Sequence, residues 1–240
     1  MQSKLEILKQ YLTESSYIVF FGGAGVSTES GIPDFRSADG LYSQKYKYPP
    51  ETILSRDFFE QNTAEFYEFY RNKMLFLDAK PNTAHIKLAE LEKCGKLKAI
   101  ITQNIDGLHQ AGGAENVLEL HGSLHRNFCV GCGRKFDIST IIDNVDIPRC
   151  ECGGIVKPDV VLFGETLNDY TIMEAVKYIA NADMLIIGGT SLGVYPAAGL
   201  INYYEGNRLV LINKSETPVD RRADLVVYGS IGEVLGEAVG

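Results

Sequence analysis

Four of the five cysteines fall in two close pairs, Cys129 with Cys132 and Cys150 with Cys152, in the pattern C-x2-C-x17-C-x-C. Gly131, Gly133, Gly153 and Gly154 beside them permit tight knuckles that aim two thiolates at one point. Four thiolates fill a tetrahedral zinc and leave no position for water, so such a site is structural. A redox dithiol or two disulfides is the alternative; paired spacing in a chain of intracellular character favours metal. Cys94 ends an amphipathic helical pattern and reads as a core residue. Among four histidines, His121 stands directly after the apolar run Val117–Leu120 and before Gly122. The carboxyl end of a parallel strand is where an acid or base belongs, and imidazole titrates near neutrality. His85 and His109, in helical or turn context, and His125, just before the first cysteine, read as structural.

A glycine-rich turn with glycines at 22, 23 and 25 follows the apolar run Tyr17–Phe21. Such a turn presents backbone N–H groups to phosphate oxygens and suits a dinucleotide. It is not the dehydrogenase fingerprint G-x-G-x-x-G, because Thr28 stands where the third glycine would be. Nor does an acidic residue close a second strand about 20 residues on; IPDFRSADGLY has turn composition instead. Ordinary hydride transfer is disfavoured. A second such turn, GGTSLGVYP, follows the run Met184–Ile187. TQNIDGLH follows Ala99–Ile101, so Gln103, Asn104, Ile105 and Asp106 emerge at the same crevice edge. Polar side chains there can hold ribose hydroxyls and a carboxamide, although Asn and Asp after a strand also serve as ordinary turn formers.

The elements that must position these residues are readable from periodicity. Strand patterns recur at Tyr17–Phe21, Ala99–Thr102, Val117–Leu120, Met184–Ile187, Leu209–Asn213 and Leu225–Tyr228, several separated by helical patterns. Thr83–Cys94 puts Ala84, Leu88 and Leu91 on one face, and Tyr170–Ala180 does the same with Ile172, Ala175, Val176 and Ile179. This rhythm predicts an α/β fold: a Rossmann-like parallel sheet with helices on both faces. Two stretches break it. Ser37–Lys80 reads as loop then helix, with Asn62 as N-cap, Glu65 three residues on, and Phe66, Phe69, Tyr70 and Met74 at helical spacing. His125–Val156 carries the cysteines. The expectation is a Rossmann-like dinucleotide-binding domain from 1–36, 81–124 and 157–240, and a smaller inserted domain from 37–80 and 125–156, helical and zinc ribbon-like. Both substrates should meet in the cleft between them.

At 240 residues the chain can bury a sizeable core, and its formal charge of -8 argues against nucleic acid as main partner. A cationic protein partner is electrostatically easier. No apolar stretch approaches 18 residues, and MQSKLEILKQYL reads as an amphipathic helix with Leu5, Leu8 and Leu12 on one face, not a signal peptide. A soluble, cytoplasmic protein with no membrane partner and no sequence-specific nucleic-acid binding is expected.

Read together, GAGVSTESGIPDFR from Gly23 to Arg36, TQNIDGLH, LHGS from Leu120 to Ser123, the four cysteines, FGE at Phe163–Glu165 and GTSLGVYPAAG from Gly189 to Gly199 resemble the sirtuins, NAD-dependent protein lysine deacylases. The resemblance runs from about residue 17 to the end; the single residue between the second pair of cysteines departs from the family's usual two. It implies NAD as co-substrate and structural zinc on Cys129, Cys132, Cys150 and Cys152. It implies His121 and Asn104 as catalytic residues. Gly23, Ala24, Gly25 and Thr28 would face the phosphates, Phe35 would cover the reactive ribose, and Arg36 would add charge. Gln103 and Asn104 would contact the nicotinamide ribose, with Ile105 and Asp106 lining the nicotinamide pocket. Gly189, Thr190 and Ser191 would take phosphate or ribose, and Asn213, Lys214, Ser230 and Ile231 would enclose the adenosine half. Val160, Val161, Leu162, Phe163, Gly164 and Glu165 would bind an acetyl-lysine peptide; taken alone, they read equally as an internal strand.

In the family's mechanism the acetyl-lysine oxygen attacks C1′ of the nicotinamide ribose as nicotinamide leaves. His121 then activates the ribose hydroxyls as general base so that the 2′-oxygen attacks the acyl carbon, and free lysine and acetyl-ADP-ribose follow after water enters. ADP-ribosyl transfer to protein, removal of other acyl groups, and a non-catalytic NAD sensor are the alternatives. Members that remove acidic acyl groups carry Tyr and Arg three residues apart on a helix. Here Tyr67 matches the tyrosine, Tyr70 takes the arginine position, and Arg71 lies about 100° further around, so short neutral acyl groups are expected.

Overall fold

The computed structural model describes residues 3–35, 40 and 46–240. Among the described residues nine strands, β1 (Ile18–Gly22), β2 (Leu97–Thr102), β3 (Val117–Glu119), β4 (Gly122–Cys129), β5 (Lys135–Phe136), β6 (Val156–Val160), β7 (Met184–Gly188), β8 (Leu209–Asn213) and β9 (Leu225–Tyr228), form two sheets. The larger has the order β3-β2-β1-β7-β8-β9, and every neighbouring pair is parallel. Successive β-branched and aromatic residues drive this, because a parallel strand is covered on both faces. In β1, Ile18 and Phe20 point into one core with Leu8, Leu88, Ile100, Ile186, Val210 and Leu235, while Val19 and Phe21 point into the other with Ile101, Ala175, Ile179, Leu185 and Leu211. Each fully buried Ile, Leu or Phe contributes about 1.5–3 kcal/mol of transfer free energy.

The first core is covered by the helices Lys4–Glu14, Thr83–Lys93 and Ile231–Ala238, the second by Asp169–Asn181 and the 3-10 segment Ala197–Tyr203. The expected N-terminal helix forms, with Leu8 and Leu12 buried and Ser3 and Glu6 capping it reciprocally. No helix among the described residues is long and apolar enough to cross a membrane.

The second sheet, β5-β4-β6, is antiparallel. It shares a third core with the short helices between Pro50 and Lys73: Ile53, Phe58, Phe59, Phe66, Tyr67 and Tyr70 pack with Cys129, Ile141, Cys150, Val156, Val160 and Leu162. Two expectations are corrected. Asn62 does occupy the N-cap of helix Thr63–Lys73, but its side chain makes no capping bond, and Glu65 pairs instead with Lys47 at 2.6 Å. Asn62 also ends the preceding helix, its N–H bonded to Phe58 O, and this double duty fixes a backbone (φ -130, ψ 46) unlike the extended one a capping side chain needs. Cys94 is exposed rather than core. Its helix ends at Lys93 and Gly95, at φ 73, turns the chain away before another helical turn can reach the sheet.

Candidate active site

In the large sheet the chain proceeds outward from β1 to β3 on one side and from β7 to β9 on the other, so the order reverses between β1 and β7. The crevice beyond the carboxyl ends at such a reversal is where open α/β sheets bind ligands. Both strands end there in glycine, Gly22 opposite Gly188. The two glycine turns then lock backbone to backbone: Gly25 N–H donates to Gly189 O at 2.8 Å and Gly23 N–H to Gly188 O at 3.3 Å. A Cβ on Gly25 would lie 2.8 Å from Gly189 Cα, and one on Gly189, at φ +59, 2.4 Å from Val26 N. Glycine is therefore required by close approach at both places. Ala24 and Thr28 stay half-buried at the rim, and Thr28 Oγ1 donates to Gly25 O at 3.0 Å.

The remaining strand tips converge on these turns. Asn213, at the end of β8, clamps Thr190 by accepting from its N–H (3.1 Å) and donating to its C=O (2.9 Å). Gln103, just past β2, donates from Nε2 to Thr190 Oγ1 at 3.1 Å and from its backbone N–H to Gly22 O. Ser191 and Lys214 are exposed, and Ser230 stands at the N-cap position of the last helix without a side-chain capping bond. Ile231 is buried, its side chain filling the space above Gly188. Phe35 packs at the edge of the third core with Ile105. Arg36 lies outside the described residues.

Ser27 has no assigned role in the sequence reading, yet it is the hub of this region. Fully buried, its hydroxyl donates to Asp106 Oδ2 at 2.6 Å and accepts from Asn104 Nδ2 at 3.0 Å. Asp106 Oδ1 accepts from Leu108 N–H at 2.9 Å, so each oxygen has one donor and can take another. A serine in a glycine turn has many local uses, and its partner lies 79 residues on, which is why the sequence pattern passes over it. His125 props the same turn, Nε2–H donating to Asp106 O at 3.1 Å.

His121 is half-buried immediately after β3. Its Nδ1 lies 2.9 Å from Gln103 O. A carbonyl only accepts, so Nδ1 carries the proton and Nε2 of the neutral ring is left as a base. Burial lowers the His121 pKa, partly opposed by the bond to Gln103, so the ring is neutral at pH 7. Its own C=O accepts from Val161 N–H at 2.9 Å, and at Gly122 (φ +78) a Cβ would collide with Asp159 O at 1.9 Å. The strand β6 therefore lies hard against the His121 turn only because residue 122 is glycine.

Beyond β6, the segment Val160–Glu165 is already heavily paired within the protein. Phe163 N–H donates to Leu54 O and Phe163 O accepts from Arg56 N–H, both at 2.9 Å, while its ring stays exposed. Leu162 N–H is taken by Glu165 Oε2 at 2.8 Å. Thus only part of the main chain proposed for peptide pairing faces outward; Gly164, at φ +89, is exposed.

The cysteine thiols converge as the spacing predicts. All four Sγ atoms lie within 4.8 Å of one another, with Cys129 to Cys152 at 3.4 Å and Cys132 to Cys150 at 3.7 Å. A zinc tetrahedron with bonds of about 2.3 Å has S···S edges of about 3.8 Å, whereas a disulfide needs about 2.05 Å. The set fits structural zinc. Gly154 is required because a Cβ there would sit 2.6 Å from Cys129 Sγ. The single residue of the shortened pair, Glu151, reaches across to Arg134 of the other knuckle at 2.7 Å.

A profile of the Sir2 family matches residues 23–196. The chain belongs to that family. It is 62% identical over 236 residues to the NAD-dependent protein deacetylase of Clostridium acetobutylicum, covering 97% of this chain and 96% of that one. It is 58% identical over 243 residues to the corresponding protein of Clostridium perfringens, covering 100% of both. A solved Sir2 complex with p53 peptide and NAD+ superposes with TM-score 0.87 at 39% identity, over 98% of this chain and 96% of that one. Another, with deacetylated p53 peptide and 3′-O-acetyl ADP-ribose, gives TM-score 0.91 at 38% identity, over 99% and 100%. In this Sir2 chain Tyr67 is fully buried and its hydroxyl bonds Val156 O. The Arg71 guanidinium lies over the Tyr67 ring, 5.2 Å from its centre, and donates to the carbonyls of Ile141, Val145 and Asp146.

Proposed function

We infer that the protein is an NAD-dependent protein lysine deacetylase that consumes NAD and releases nicotinamide, acetyl-ADP-ribose and free lysine. The observation that carries the reading is the convergence at the β1/β7 reversal of two interlocked glycine turns with His121, whose Nδ1–H is committed to Gln103 and whose Nε2 is free to accept a proton. NAD supplies the electrophilic ribose carbon. Gln103 and Asn104 hold the nicotinamide ribose, Asp106 receives the carboxamide, and Ser27 fixes the latter two relative to each other. His121 Nε2 takes the proton of a ribose hydroxyl as that oxygen adds to the acyl carbon. Phe35 closes over the ribose and excludes water while nicotinamide leaves; one water then enters, and its addition at the acyl carbon breaks the carbon–nitrogen bond and releases lysine. Val160–Glu165 aligns the acetyl-lysine peptide by main-chain pairing, which recognises many sequences.

The third core supports a division in which 37–80 and 125–156 form a small zinc-containing domain on an NAD-binding domain of 1–36, 81–124 and 157–240. We place the enzyme in the cytoplasm. With Arg71 Nε, Nη1 and Nη2 each given to a backbone carbonyl, a succinyl carboxylate would be desolvated without a paired cation, so acetyl is preferred.

Nicotinamide release with and without an acetyl-lysine peptide tests the reading. Release should require the peptide and match free lysine and acetyl-ADP-ribose mole for mole. Peptide-independent release, or ADP-ribose attached to protein, would replace it with glycohydrolase or transferase chemistry.

A further inference from the structure

The segment that follows β6 is fastened from inside by one buried ammonium. Lys157 pairs with Phe128 in the small sheet, its Nζ lies 5.8 Å from the centre of the Phe128 ring, and its side chain is 8% exposed. From there Nζ donates to Pro158 O at 3.3 Å, Val160 O at 2.9 Å and Glu165 Oε2 at 3.1 Å. An ammonium has three protons, and all three are used within nine residues of chain. The same Glu165 oxygen accepts Leu162 N–H at 2.8 Å, and Glu165 N–H returns a bond to Leu162 O at 2.9 Å. Lys157 and Glu165 thus tie the two ends of Val160–Glu165 to each other. A buried ion pair adds little net stability over apolar residues of the same volume, so what this arrangement provides is one fixed backbone conformation.

We propose that Lys157 is a positioning residue for the acyl-lysine substrate, holding Val160–Glu165 in the shape an extended peptide meets and so setting peptide affinity without setting NAD affinity. The proposal rests on the reading of that segment as the peptide edge. The contacts that build the NAD crevice, Gly25 to Gly189, Ser27 to Asp106 and Asn213 to Thr190, do not involve Lys157 or Glu165.

The test compares K157M, K157R and the double variant K157M/E165Q in zinc-loaded enzyme. K157M should raise the peptide KM about tenfold or more while the NAD KM stays within about twofold. K157R, which still offers several donors, should recover most of the loss. K157M/E165Q removes the stranded carboxylate charge while its amide oxygen can still accept from Leu162, so it should regain thermal stability but keep the raised peptide KM. Amide hydrogen exchange at Leu162 should quicken in K157M. An unchanged peptide KM, an equal rise in both KM values, or unaltered exchange at Leu162 would each overturn the proposal. A wild-type protein that turns over no acetyl peptide would instead count against the deacetylase reading, and the exchange measurement would still decide the role of Lys157.

Discussion

At the tips of β1 and β7 the site is held by backbone against backbone, with glycine at each point of closest approach, whereas the β5-β4-β6 region is held by side chains around four thiolates. The first arrangement has few degrees of freedom: Gly25 and Gly189 admit no Cβ, and Asn213 and Gln103 both close on Thr190. The second has a core of aromatic rings, Phe59 edge-on to Phe66 and Phe66 stacked on Tyr70 at 5.6 Å, and its sheet has one strand of only two residues. Such a small unit cannot bury enough surface to be stable without a further link. The difference teaches that the β1/β7 tips are fixed by close approach of backbone to backbone, whereas the β5-β4-β6 region is gathered around four thiolates placed to hold a metal.

Removing that metal should give the largest effect. Chelation at neutral pH, or Cys129→Ala, should release about one zinc, expose the third core to an apolar dye and abolish deacetylation. The large sheet should keep most of its far-UV signal. Full activity in reduced, zinc-free protein would end the contrast between the halves.

Next comes the base. His121→Ala should lower kcat by about 10²–10⁴-fold, the range general-base catalysis supplies, with little change in NAD affinity or melting temperature. Because burial lowers the pKa of His121, the acid limb of kcat in the wild type should fall below the ordinary histidine value of about 6.5. Turnover near wild type in a folded variant would remove His121 from the chemistry.

The side-chain-built region is sharpened by acyl choice. With Arg71 bound to three carbonyls near Val145, kcat/KM should favour acetyl over succinyl peptide on the order of 100-fold, about 2.7 kcal/mol. Equal rates would mean that Arg71 leaves those carbonyls or that another cation serves the acyl group.

The same contrast explains what was legible in the sequence. Runs such as Ile18–Phe21 and Met184–Ile187 announce strands because both faces are apolar, and the cysteine spacing announces its knuckles. Strand β4 is not announced by its sequence: GSLHRNFC has no alternation, its register shifts between Ser123 and Asn127, and in its partner β6 Val156 and Val160 flank Lys157, Pro158 and Asp159. Long-range polar contacts also escape a one-dimensional reading. Ser27 with Asn104 and Asp106, and Arg126 bridging Glu119 (2.6 Å) and Asp159 (2.9 Å), join residues whose types are common on any surface. Phe163 looks like a strand residue offered to a partner, yet its main chain is taken by Leu54 and Arg56 through a bridge that no local pattern encodes.

The smallest expected effect concerns a buried pair near the first glycine turn. His85 and His109 are almost fully buried with ring centres 4.8 Å apart. His85 Nδ1 accepts from Asn82 N–H at 3.2 Å, capping the helix whose Asn82 side chain holds Val26 O and Ser30. Neither ring nitrogen of His109 has a partner among the described residues. Burial lowers the pKa of His85 to about 4 and that of His109 to about 3, with His85 adding to the depression of His109. Both are therefore neutral in the native state at pH 5, while an unfolded histidine titrates near 6.5. As pH falls from about 6.5 to about 4 the unfolded chain binds protons that the native state refuses. Stability present above that window is thus lost through it, by up to about 1.4 kcal/mol per pH unit for each histidine. His109→Phe removes one of the two groups without leaving a hydrogen bond unmade, so stability at pH 7 should change by less than about 1 kcal/mol. The acid slope in urea unfolding between pH 6 and 4 should become shallower by about one proton. His85→Phe should flatten the slope too, but lose about 1 kcal/mol at pH 7 with the cap. An unchanged slope in His109→Phe would mean that His109 is already protonated in the native state.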